Sequence, residues 1–142
     1  MKKYILYVFF IITAFNAKSQ ENETVFFQID FQDFFVKDTI CLSINQYSII
    51  NNKVVTSDFS TGLTDAVVRV YRYKRSGLIT IGDDSIKIKR ISPPIKIKVS
   101  LNGRLIKYKI NLEQGRYIGL SKINRVKNEL DFYQSKNPFE YE

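Results

Sequence analysis

The chain has 142 residues with 22 Lys and Arg against 14 Asp and Glu, a formal net charge of +8, and it contains no histidine. Without histidine there is no Ser-His-Asp or Cys-His arrangement, and the commonest general base and metal ligand is missing. A single cysteine, Cys41, allows no intrachain disulfide and no CxxC zinc pair, and neither a P-loop nor a dinucleotide-binding fingerprint is present.

The first predicted element is a secretory signal. Lys2 and Lys3 precede an apolar run from Tyr4 to Phe15, and Ala17-Lys18-Ser19 offers small residues at the cleavage positions. The apolar run is shorter than the roughly 20 residues that a membrane span needs. Residues 1–19 are therefore read as a signal peptide and 20–142 as one domain, periplasmic or secreted. A mature chain of 123 residues loses Lys2, Lys3 and Lys18 and carries +5. That length is enough for a core of its own.

Beyond the signal the apolar residues recur with period two. "TVFFQIDF" (24–31) puts Val25, Phe27, Ile29 and Phe31 on one face. "FQDFFVKD" reads as a bulge or crossover with Phe34-Phe35 packed over an open end. In "DTICLSIN" (38–45), Ile40, Leu42 and Ile44 oppose Cys41, which is expected to be a small buried residue. "YSIINNKVVT" (47–56) is predicted to be a hairpin turning at Asn51-Asn52. "AVVRVYRY" and "GLITI" follow, separated by a "KRSG" turn. The "GDDS" turn then leads to "SIKIKRI", where Asp83-Asp84 belongs to the turn. "SPP" breaks the chain before "IKIKVSL" and "RLIKYKINL", which flank Asn102-Gly103, a strong hairpin signal. "RYIGLSKI", "ELDFYQS" and a "KNPFEYE" tail complete the chain. Nine or ten short strands without helical periodicity predict an all-β antiparallel sandwich or barrel, and the aromatic supply fits a sandwich. Phe27, Phe31, Tyr71 and Phe132 are its expected aromatic core.

A two-residue turn at Asn102-Gly103 makes cross-strand partners sum to 205. Val99 then faces Ile106, Ile97 faces Tyr108 and Ile95 faces Ile110 on an apolar face. On the other face Lys98 opposes Lys107 and Lys96 opposes Lys109, with Lys87 and Lys89 joining them if "SIKIKRI" shares the sheet. These six lysines are the candidate binding residues. Charge is also segregated along the chain: residues 66–127 carry +13, and the flanks 20–65 and 128–142 carry −8. Either the acidic flanks cover the lysine rows, or a basic face stays open to anionic partners. Lysines on a wet sheet face also serve solubility and block edge pairing.

"TGLTDAVVRVYR" and "INLEQGRYIGLS" resemble segments of secreted transthyretin-like and carboxypeptidase-regulatory-like modules. That resemblance covers 24 residues, implies a non-catalytic accessory sandwich of immunoglobulin-like or transthyretin-like type, and transfers no functional residue. The expectation is therefore a non-enzymatic exported module without cofactor or metal. Its partner would be a protein or an anionic envelope or extracellular surface, such as lipopolysaccharide or an acidic glycan, and nucleic acid is disfavoured. Two alternatives stand beside it. One is a small exported enzyme or inhibitor using acidic pairs such as Asp30 with Asp33 or Asp58 with Asp65. The other is a subunit of a surface assembly donating "KNPFEYE" or the N-terminal "ENETVFF".

Overall fold

The computed structural model describes residues 24–141; the expected signal segment, the first three residues of "ENETVFF" and Glu142 lie outside them. Ten strands and no helix are found among the described residues: β1 (Val25–Phe31), β2 (Asp38–Ile44), β3 (Tyr47–Val55), β4 (Val67–Arg72), β5 (Ser76–Ile81), β6 (Asp84–Lys89), β7 (Ile95–Leu101), β8 (Arg104–Ile110), β9 (Tyr117–Lys122) and β10 (Leu130–Ser135). They form a sandwich of a six-stranded sheet, β10-β9-β1-β4-β5-β6, and a four-stranded sheet, β3-β2-β7-β8. All pairings are antiparallel except β1 with β9. The segments 61–72 and 110–121 contribute β4 and β9, the two neighbours of β1.

Period-two alternation produces this arrangement, because each strand has one apolar face to bury. Phe27, Ile29 and Phe31 of β1 meet Ile40, Leu42 and Ile44 of β2 and Ile95, Ile97 and Val99 of β7 in one buried cluster. At one margin of the sandwich β8 lies near β10. The Tyr108 and Phe132 rings stack there at 4.4 Å, and the Tyr108 hydroxyl donates to the Leu130 carbonyl at 3.2 Å. At the other margin β3 approaches β6, where Lys89 N–H donates to Tyr47 Oη at 3.2 Å. Of the expected aromatic core, Phe27 and Phe31 are fully buried and Phe132 partly, whereas Tyr71, one residue past inward Val70, points away from the core.

Three local expectations change. Asn51-Asn52 is not a turn: β3 runs through it, and the β2–β3 hairpin turns instead at Asn45, with φ 51°. The pair forms a β-bulge opposite Cys41. Asn52 has φ 50°, so its tolerance of positive φ is used, but inside the strand. Cys41 is half-buried on the outer face, where Sγ accepts from Asn52 N–H and donates to Asn52 Oδ1, both at 3.3 Å. Of the Phe34-Phe35 pair, only Phe35 enters the core, edge-on to Phe31 at 5.9 Å, because Phe34 adopts φ 68° and turns outward.

The sheets are joined at one end by an ion pair. Lys122 occupies the last inward position of β9 and Asp38 the first of β2. Lys122 Nζ donates to Asp38 Oδ2 at 3.0 Å, to Oδ1 at 3.1 Å and to the Arg125 carbonyl at 3.1 Å, and its side chain is 2 % exposed. Asp38 also accepts from Asn102 Nδ2 at 2.7 Å and from Val36 N–H at 2.8 Å. Burial alone would raise the Asp38 pKa, but these donors outweigh it and hold the carboxyl below its ordinary range.

A charge left alone in such a site is costly. Lys122→Met is expected to destabilise the fold by about 3–5 kcal/mol in urea unfolding, and Lys122→Met with Asp38→Asn should recover part of that loss. Because the folded-state pKa of Asp38 is depressed, its stabilisation is complete above the unfolded carboxylate value of about 4 and is lost as pH falls through the lower folded value. An acid titration of Asp38→Asn followed by circular dichroism should show a shallower loss of stability than the parent chain.

Candidate functional site

The β7–β8 hairpin has the register that Asn102-Gly103 predicts. Ile95, Ile97 and Val99 face Ile110, Tyr108 and Ile106, while Lys96 faces Lys109 and Lys98 faces Lys107. Asn102 takes φ 49° and Gly103 φ 85°, the left-handed conformation such a turn needs. The turn is fastened as well: Thr39 N–H donates to Asn102 Oδ1 at 2.9 Å, and Asn102 Nδ2 also reaches Asn128 Oδ1 at 2.8 Å.

The four lysines are exposed and line a shallow groove of about 250 Å³ on the outer face of the four-stranded sheet. Neighbouring β2 places Ser43 beside Lys98 and Cys41 beside Ser100. The only acid in the four strands of this sheet is Asp38, which points inward and is paired with Lys122. No salt bridge among the described residues involves Lys96, Lys98, Lys107 or Lys109. Among the described residues, the acidic flanks therefore do not cover the lysine rows. Their carboxylates go elsewhere: Asp65 pairs with Lys53 at 2.8 Å, Glu129 with Arg104 at 3.7 Å, and Asp58 accepts from the amides of Ser60 and Thr61 in its own loop.

Lys87 and Lys89 do not join this surface. They lie on β6, the edge of the other sheet, because the "SPP" segment carries the chain from one sheet to the other between β6 and β7. The structure thus unites four of the six lysines.

The outer face of the six-stranded sheet is of a different kind. Along β1 the outward residues are Gln28 and Asp30, with Gln32 just past the strand, and the tail folds back to Gln32. Phe139 packs edge-on against Tyr133 at 5.2 Å, Gln32 Nε2 donates to Tyr141 Oη at 2.7 Å, and the Tyr133 hydroxyl donates to Gln32 Oε1. Gly119 leaves the space for Tyr133, since a Cβ there would run into the ring. The tail thus packs on the outer face of this sheet. Asp30 beneath it is 1 % exposed and accepts from Gln28 Nε2 at 2.9 and 3.0 Å. Burial pushes the Asp30 pKa up, against the lowering effects of Gln28 and the Arg69 charge. Burial, with the nearby Asp30 charge second, also raises Tyr141 to about 12. The buried Asp30 and Lys122 were not foreseen from sequence, since period two marks a face as inward or outward but not what covers it. Among the described residues, no group of three or more Cys, Asp or Glu is placed to hold a metal ion.

No family model matches the chain, and no curated protein and no solved structure matches it either.

Two outcomes follow from these faces. Directly opposed like charges destabilise a sheet by about 0.2–1 kcal/mol. Lys98→Thr should therefore raise the urea midpoint slightly, by less at high salt, where the repulsion is already screened. A carboxyl with a raised folded pKa costs stability above that pKa, and the cost disappears as pH falls through it. Asp30→Asn, which keeps an acceptor for Gln28, should melt higher than the parent chain near pH 7, with the difference closing on acidification.

Proposed function

We propose that this chain is an exported, non-catalytic binding module of the cell envelope or extracellular space, which meets an anionic partner through the outer face of β2, β7 and β8. One observation carries the reading. Two lysine pairs stand directly opposite each other on a face whose strands have no outward acid, so among the described residues no ion pair relieves their repulsion. An anionic partner relieves it and gains from every unpaired ammonium group. The hydroxyls of Ser43 and Ser100 beside the lysines add donors and acceptors suited to a polar, hydrated ligand. The signal-like N-terminus supports export, and the resemblance of the β4 and β9 segments to secreted accessory modules agrees with a non-catalytic role.

The test uses two charge-matched variants. Lys96→Ser with Lys109→Ser removes two cations from the proposed face, and Lys87→Ser with Lys89→Ser removes two from β6. On a dextran sulfate column the first should elute at markedly lower salt and the second near the parent chain, and the quadruple change of Lys96, Lys98, Lys107 and Lys109 to Ser should abolish retention. Equal shifts for the two pairs would mean that net charge, not this face, governs binding, and the reading would fail.

A further inference from the structure

A second surface lies at the end of the sandwich closed by Lys122 and Asp38. The β1–β2 loop, the β3–β4 loop and the β9–β10 loop meet there. They enclose an open cavity of about 490 Å³ lined by Phe34, Val36, Phe59 and Arg125 together with Asp33 and Asp58. Of nine large hydrophobic side chains exposed among the described residues, five project from these loops: Phe34, Val36, Phe59, Ile123 and Val126. Two more, Val54 and Leu105, sit on the strands near the same end, since Val54 pairs with Thr39 and Leu105 pairs with Ser100. Phe59 is 92 % exposed and Val126 89 %. Single exposed apolar residues are ordinary, but this much apolar surface gathered at one end of a small domain marks an interaction site.

We infer that this end of the sandwich inserts its loop tips into the interfacial layer of a lipid bilayer. Phe59 and Val126 protrude almost fully exposed from two different loops, so a rigid protein partner would need a separate hollow for each, whereas a bilayer closes around both. The same loops carry Lys37, Arg125 and Lys127, none of which forms a salt bridge among the described residues, and the Arg125 guanidinium stands 6.0 Å from the centroid of the Phe59 ring. Arg and Lys beside an apolar tip reach headgroup phosphates while their stems stay in the apolar layer. Of the acids at this end, Glu129 pairs with Arg104 and Asp65 with Lys53, while Asp33 and Asp58 have no cationic partner among the described residues, so the three unpaired cations outnumber them by one. The surface is separate from the lysine quartet, which lies on a sheet face, and it does not rest on the anionic-partner reading.

The probe is co-sedimentation with phosphatidylcholine vesicles and with mixed phosphatidylcholine–phosphatidylglycerol vesicles. The chain is started at Gln20, which retains all ten strands and removes the apolar leader. The chain is expected to bind both vesicle types, the mixed one more tightly. Phe59→Ser with Val126→Ser should lower partitioning to either by about tenfold or more, because burying one such side chain is worth at least one decade. Both positions are exposed, so the melting temperature should not move. The lysine quartet changed to Ser should leave binding to phosphatidylcholine intact. Absence of vesicle binding, unchanged binding by the Phe59/Val126 variant, or loss of binding only in the quartet variant would each overturn the inference, the last by assigning the contact to the lysine face. Loop tips that matter only for capturing an added protein would overturn it as well.

Discussion

The ion pair between Lys122 and Asp38 connects more of this molecule than any other single contact. It takes one charge from the basic middle of the chain and one from its acidic flank, and it buries both between the sheets. Desolvating two charges is expensive, and their mutual attraction offsets that cost only if the remaining lone pairs and protons are also satisfied. Here they are. Asn102 and the Val36 amide complete the carboxylate, and the Arg125 carbonyl completes the ammonium. The pair therefore ties the β7–β8 turn, the β1–β2 crossover and the β9–β10 loop to one point. The lysine rows and the apolar loop tips both inherit their positions from it, because the turn that sets the lysine register and the loops that carry Phe34 and Val126 converge there.

Charge segregation along a chain does not predict charge neutralisation in space. The acidic flank supplies β2 and β3, which lie in the same sheet as the lysine-bearing β7 and β8. The outward positions of β2 are nevertheless Thr, Cys and Ser, and β3 has no acid at all. Sheet neighbours share a face residue by residue, so only side chains of matching parity can meet. The single acid of this sheet has inward parity and is spent on Lys122. That is why a chain with ample carboxylate leaves one sheet face purely cationic.

Much of the fold was legible in the sequence because period-two alternation and turn chemistry act locally. Asn102-Gly103 determined a register, and every apolar and every lysine pair it implied is present. What escaped depended on distant parts of the chain. Nothing local tells β6 to join one sheet and β7 the other, so Lys87 and Lys89 could be placed on the lysine face only conditionally. Asn51-Asn52 has the residue types of a turn, but Asn45 supplied that turn first, and the surplus positive-φ residue was absorbed as a bulge opposite Cys41. Lys122 looked like an ordinary strand-end lysine, since its partner lies 84 residues away.

The two outer faces show how similar strands acquire different roles. On the six-stranded sheet, the tail lays Phe139 against Tyr133 and Tyr141 against Gln32, above the buried Asp30, and a glycine at position 119 gives Tyr133 the room to join them. That face is closed by the chain itself at the expense of a buried carboxylate whose ionisation is disfavoured. On the four-stranded sheet no segment among the described residues returns to cover the lysines. A face that repels itself and lacks an internal cover is stable only because the core behind it, Ile95, Ile97 and Val99 against Ile110, Tyr108 and Ile106, outweighs the repulsion. The apolar side of the β7–β8 hairpin is thus what permits its cationic side to stay open.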